Sequence, residues 1–145
     1  MVKVKKVKTE QEFLKCLFIR FMVFFQEQHL DFHQEMNFRD SEATHFLMVL
    51  ENQPIGTCRY LQQRDYYLLG RLAVLESFRK KGYGTLLIQT AIKHILRKDK
   101  NAVIELHAPL EKIDFFKNIG FVPFGTSFLE ANAQHIGMRY NVQKK

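Results

Sequence analysis

The chain has 145 residues, 46% of them hydrophobic and 14 of them Phe, with a net charge of +7. That length holds one domain with a real core and excludes two ordinary ones, and the composition excludes a disordered chain. The positive balance points to anionic partners (nucleic acid, a membrane surface or a phosphorylated small molecule), although part of it lies at the ends, in KVKKVK and QKK.

VKVKKVK alternates as a half-buried edge strand would, and its lysines oppose edge-to-edge pairing. Thr9-Glu10-Gln11-Glu12 has the form of a capping box. The helix behind it is expected to bury Phe13, Leu17, Phe21 and Phe24. From His29 to Ser41 the pattern dissolves into a polar loop with room for a short helix. THFLMVLE and IGTCRYLQ read as hairpin strands about an Asn52-Gln53-Pro54 turn, and DYYLLGRLAVL as a third, central strand. The basic turn RKKGYG follows, then a helix whose apolar face is expected to be Leu86, Leu87, Ala91, Ile92 and Ile95. NAVIELHA reads as a buried strand and EKIDFFKNIG as a short helix ended by Gly120. FVPFG and QHIGMRY read as two final strands. This order predicts one mixed α/β domain over residues 1–145, with neither repeats nor a linker.

Cys16 and Cys58 lack CxxC spacing and form no disulfide framework, so reduced thiols and a cytoplasmic setting are expected. No apolar h-region opens the chain. The most hydrophobic run, CLFIRFMVFF, is too short to span a bilayer and carries Arg20. No membrane partner is expected. The interleaving residue of KVKKVK is valine rather than a stacking aromatic, so no nucleic-acid partner is expected either. His29 and His33 have metal-ligand spacing but no third ligand, and no metal is expected.

The turn Arg79-Lys80-Lys81-Gly82-Tyr83-Gly84 is the feature that most needs explaining. A P-loop would require a lysine after Gly84, and a dinucleotide fingerprint a third glycine where Leu87 stands. What remains is Arg-x-x-Gly-x-Gly at a strand–turn–helix junction. Such a junction suits a pyrophosphate. The first helix amides lack internal acceptors and carry partial positive charge. Gly82 and Gly84 are expected to bend the backbone with positive φ and admit close oxygens. Lys80, Lys81 and Arg79 add charge, and Thr85 a hydroxyl. An ordinary glycine turn that only caps a helix fits the same six residues.

GRLAVLESFRKKGYGTLLIQTAI resembles the coenzyme-binding motif of the GCN5-related N-acetyltransferases (GNAT). With FFQEQHL, EATHFLMVLENQPIGTCRY, ELHAPLEKIDFFKNIGFVPFG and FLEANAQHIGMRY, the chain resembles the small ElaA/YjcF-like branch of that family. The resemblance implies the GNAT fold, a mixed and mostly antiparallel sheet of six to seven strands flanked by helices. It also implies acetyl-CoA as cosubstrate and direct transfer of its acetyl group to a primary amine of a small molecule or peptide. The pyrophosphate would sit on Arg79, Lys80, Lys81, Gly82, Tyr83, Gly84 and Thr85. The pantetheine arm would lie along Leu72, Ala73 and Val74 in a split of the sheet, with an amide near Val74 polarising the thioester carbonyl.

An alkylamine has a pKa of about 10.4, so holding it neutral at pH 7 costs about 4–5 kcal/mol and a base is useful. Glu27, Glu105, His107, His45 and His135 are the candidates. Glu27 and His107 are singled out: Glu27 because FFQEQ resembles a segment near the branch's acceptor groove, His107 because its strand is expected opposite the split. A helix-surface carboxylate and a sheet histidine are the alternatives. Strand alternation puts Glu105 and His107 on one face. Cys58 is expected in the core rather than as a nucleophile. Phe116 stands where many members carry the tyrosine that protonates the thiolate, which implies reduced activity unless Tyr83 or Tyr140 substitutes. Pro109 replaces a helpful polar residue. Asp31, Glu35, Asp40 and Glu42 in the loop either attract a cationic amine or stay solvated. A non-catalytic coenzyme-binding interaction or sensing module is the alternative function, and the chain is expected as a monomer or a homodimer paired through its C-terminal strand.

Overall fold

A computed structural model describes residues 1–141; the closing Gln143-Lys144-Lys145 run lies outside them. Strand β1 (Val2–Lys6) leads to helix α1 (Glu10–Arg20), which continues as a π-helical segment over Phe21–Glu27. The Thr9 hydroxyl accepts from the Glu12 amide and Glu12 accepts from the Thr9 amide, so the capping box is present. Helix α2 (Phe32–Glu35) and a 3-10 turn (Asp40–Glu42) precede β2 (Thr44–Leu50), β3 (Gln53–Gln62) and β4 (Tyr67–Val74). Then come α3 (Tyr83–Lys98), β5 (Ile104–Pro109), α4 (Ile113–Ile119), β6 (Phe121–Glu130) and β7 (Ala133–Tyr140).

The seven strands form one sheet in the order β1-β2-β3-β4-β5-β7-β6. All neighbours are antiparallel except β4 and β5, which are parallel because α3 crosses between them. Helices α3 and α4 cover one face over Phe46, Cys58, Tyr60, Leu69, Leu106 and Met138. Helix α1 and the π segment that continues it cover the other face of β2, β3 and β4 through Cys16, Ile19, Val23 and Phe24 against Leu47 and Ala73.

Three expectations shift. The buried face of the first helical stretch is Cys16, Ile19, Arg20, Val23 and Phe24, while Phe21 is exposed and Phe13 and Leu17 are half-buried. The buried positions keep ordinary helical spacing (i, i+3, i+4, i+7, i+8), so the core takes the neighbouring stripe, one that admits Arg20 because Glu35 and Asp40 pair with it. On α3 the buried set is Leu87, Ile88, Ala91, Ile92 and Ile95, with Leu86 turned outward. The C-terminal strand β7 is paired on both sides, by β5 and β6, so it has no edge to offer a second copy.

Candidate active site

Strands β4 and β5 pair only at Tyr67↔Ile104, Leu68↔Glu105 and Leu69↔Leu106. Beyond that point β5 runs on against β7 as far as Pro109↔His135, and β4 continues to Val74 with no strand on its β5 side. The divergence begins at a bulge. Arg71 and Leu72 stand opposite the single residue Cys58, between the pairs Arg59↔Gly70 and Thr57↔Ala73. Arg71 takes φ +52° there, a left-handed conformation that a non-glycine residue holds only when its surroundings enforce it.

Backbone polarity along this free edge follows from alternation. The Leu75 amide donates to Ile55 O on β3 (2.9 Å), so Ala73 also faces β3 and the Val74 N–H and C=O face the split. The Val74 carbonyl accepts from Arg79 Nε at 2.8 Å. Its amide is left pointing into the opening.

The start of α3 lies at the same end. Gly82 is the N-cap residue, with φ +82° and no side-chain cap, so the amides of Tyr83, Gly84 and Thr85 have no partner within the helix. A Cβ added at Gly82 would meet nothing within 4 Å, so backbone conformation is what requires glycine there. Lys80 is also left-handed, at φ +64°. Gly84 differs from the expectation: it is an ordinary helical residue, and a Cβ on it would stand 3.4 Å from Phe115 Cζ and 3.9 Å from Leu72 Cδ2. Lys80 and Lys81 are exposed, and Tyr83 packs its half-buried ring against the α3-side core. Amides with no acceptor, two exposed lysines and no carboxylate within the turn fit a pyrophosphate.

Glu27 and Arg79 meet. Both Nη atoms of Arg79 donate to the Glu27 carboxylate. This pairing holds the Glu27 carboxyl below its ordinary range and pushes the guanidinium above its own. Arg79 thus ties the end of the π segment to the edge of β4. Glu27 is held as an anion by two hydrogen bonds, the opposite of a carboxylate poised to take protons near neutrality.

His107 lies on the face of β5 away from α3, with Glu105, as alternation required. Glu105 is bound to Arg139 at 2.8 and 3.0 Å. His107 Nδ1 is 2.9 Å from Glu130 Oε1, and Phe128 presents its ring edge-on at 5.1 Å. The His107 hydrogen bond holds the Glu130 carboxyl below the ordinary range. His135 is buried, stacks on Phe128 and engages Ala133 O through Nδ1 at 2.9 Å. His45 is buried beside Asp40 O, and burial holds its ring below the usual histidine value.

The loop carboxylates are placed otherwise than expected. Glu35 is 2% exposed and paired with the equally buried Arg20. Asp40 accepts from Arg20 and Arg59. Arg71 Nε and Nη2 donate to Glu35 O at 3.2 and 2.7 Å. Two of the four acidic residues therefore hold the loop to the sheet, where neither is free for a ligand. Sequence reasoning passed over Glu130, Phe128 and Arg71. The signal was there: a lone glutamate and phenylalanine before the turn of the last hairpin, and an arginine inside an apolar strand.

Cys16 and Cys58 are buried, and burial raises both thiols. Phe116 is core, edge-on to Phe115 and Phe121. Tyr140 packs against Phe121 and beneath Gly120. His29 and His33 are exposed, and no cluster of three metal-ligating side chains exists among the described residues. No helix among them is long and apolar enough to cross a membrane.

A seven-stranded sheet split between its parallel central strands, with an uncapped glycine turn at the mouth, is the acyl-CoA N-acyltransferase architecture. The chain belongs to the acetyltransferase (GNAT) domain family, whose pattern it matches over residues 5–142. It is 26% identical over 132 residues to the uncharacterized N-acetyltransferase YjcF of Bacillus subtilis, covering 90% of this chain and 94% of that one. Its fold is similar to the crystal structure of Escherichia coli ElaA, with TM-score 0.87 and 21% identity over 97% of this chain and all of that one. It is also similar to an aminoglycoside 6′-N-acetyltransferase complexed with coenzyme A, with TM-score 0.74 and 17% identity over 99% and 98% of the two chains.

Proposed function

We propose that the chain transfers an acetyl group from acetyl-CoA directly to a primary amine of a small molecule or peptide. The observation that carries this reading is the free edge of β4 beside the uncapped start of α3. The amides of Tyr83, Gly84 and Thr85, supported by Lys80, Lys81 and the Thr85 hydroxyl, hold the pyrophosphate. Leu72 and Val74 border the pantetheine arm, and Ala73 sets their register through β3. Arg79 acts on the turn chiefly by position, since Glu27 and the Val74 carbonyl occupy its guanidinium.

The bound coenzyme supplies an activated thioester. The Val74 N–H, fixed in advance, polarises its carbonyl as negative charge develops on oxygen. His107 takes the proton from the attacking amine. Glu27 anchors Arg79 and takes no proton. With both cysteines buried, transfer needs no acyl-enzyme. Phe116 offers no proton, so the departing thiolate draws one from solvent.

Calorimetric titration with acetyl-CoA tests this, beside a Gly82→Glu/Gly84→Glu variant and a dephospho-coenzyme control, followed by turnover with a panel of primary amines. Micromolar binding lost in the variant and acetylation of at least one amine are expected. No binding by folded wild-type protein would overturn the reading. Binding with no amine acetylated would leave a coenzyme-binding module without catalysis.

A further inference from the structure

The β6–β7 hairpin brings to His107 a carboxylate distant in sequence. Cross-strand partners share a face, and the register runs His107↔Gly137 between β5 and β7, then Phe124↔Gly137 and Phe128↔His135 between β7 and β6. The register shift between Phe124 and Phe128, where Gly125 takes φ +71°, inserts residues into β6. It bends the strand so that Phe128 and Glu130 reach back across the face toward β5. Glu130 Oε1 ends 2.9 Å from His107 Nδ1.

The geometry points to Glu130 as the positioning residue of His107. The inference rests on the acetyltransferase reading above and deepens it. A carboxylate accepts only, so the bond at Nδ1 requires the proton there and leaves the lone pair of the neutral ring on Nε2. Nε2 has no hydrogen-bond partner among the described residues, and the side chain is 37% exposed. Phe128 stands edge-on against the ring and limits its rotation.

During transfer the amine nitrogen bonds to the acyl carbon of the thioester. The carbon–sulfur bond breaks with its electron pair going to sulfur, and the proton lost by nitrogen moves to Nε2. Glu130 then faces an imidazolium, whose charge it offsets at hydrogen-bond distance. Besides His107, the charges of His135 and then of Arg71 on β4 also lower the Glu130 carboxyl.

Histidine ring 15N NMR of the full chain, with His107 assigned through His107→Gln, reads the tautomer without requiring turnover. At a pH where the ring signals no longer move, wild type is expected to carry its proton on Nδ1, and Glu130→Ala to shift it toward Nε2. Steady-state kinetics on an accepted amine provide the second readout. Glu130→Ala should lower kcat about 10- to 100-fold with KM within about twofold, while His107→Gln costs about 10²–10⁴-fold. Added to His107→Gln, the Glu130→Ala change should cost less than about twofold more, because the two act as a unit.

An Nε2-protonated ring in wild type, or the same fold loss from Glu130→Ala in both backgrounds, would overturn the assignment. The expected tautomer in a chain that binds acetyl-CoA but acetylates no amine would overturn the acetyltransferase reading and leave the pair standing.

Discussion

Glu27 shows how a residue's role turns on one neighbour. On the sequence it is a carboxylate near the end of an apolar helix, open to proton transfer. In the structure both its oxygens face Arg79, whose Nε holds the Val74 carbonyl. Each side chain of the pair is about one-third exposed, so the pair is discounted toward the surface range of about 0.2–1 kcal/mol. Glu27→Gln is therefore expected to weaken acetyl-CoA binding only about two- to fivefold, by loosening the turn, and to leave kcat within about twofold. Titration calorimetry and steady-state kinetics separate this from a proton acceptor, whose removal would lower kcat about 10²–10⁴-fold with binding unchanged.

Between α1 and β2 the loop is held by buried charge as well as by the apolar contact of Leu30 with the α1-side core. Arg20 on α1 bonds Glu35 of α2 and Asp40 of the 3-10 turn, and Arg59 of β3 shares Asp40. Removing one member leaves a buried charge without its partner, which costs far more than an exposed pair is worth. Burial alone would raise the Asp40 carboxyl, but bonds and charges from Arg20 and Arg59 outweigh it and the net shift is downward. The unfolded chain therefore binds the proton first. Asp40's stabilisation is fully present above about pH 4, the ordinary aspartate value, and is lost as pH falls from there through the depressed folded value. Urea unfolding from pH 7 to pH 3 should show wild type losing more stability below pH 4 than Asp40→Asn, which starts lower at pH 7. Parallel curves would show that Asp40 is not the acid-sensitive group.

At the scale of the whole molecule, three parallel pairs join two halves of the sheet, and α3 and α4 bridge them from one side. The opening between the halves follows from a bulge at Arg71–Leu72 and from β5 pairing with β7 past Leu106. An edge with no strand beside it exchanges its amides through local opening rather than global unfolding. Hydrogen exchange followed by mass spectrometry should show the segments holding Val74 and Tyr83–Thr85 poorly protected alone and strongly protected with acetyl-CoA. The outer pairs β1–β2 and β6–β7 should change little. Protection spread evenly over the chain, or confined to the lysine-rich β1, would contradict a ligand in the split.

The sequence by itself determined the order of elements, the capping box at Thr9, the glycine turn before α3 and the shared face of Glu105 and His107. Each is written in residues close along the chain, through alternation, periodicity or φ requirements. Tertiary structure alone decided which carboxylates pair with which cations. Glu27 and Arg79 are 52 residues apart, Glu130 and His107 23 apart, and Arg20 and Glu35 15 apart. No local pattern encodes those meetings; they depend on strand register, the π segment and two bulges. The site's chemistry is accordingly less legible than its fold. A change of one residue in register moves a side chain to the other face of the sheet, while a strand stays a strand.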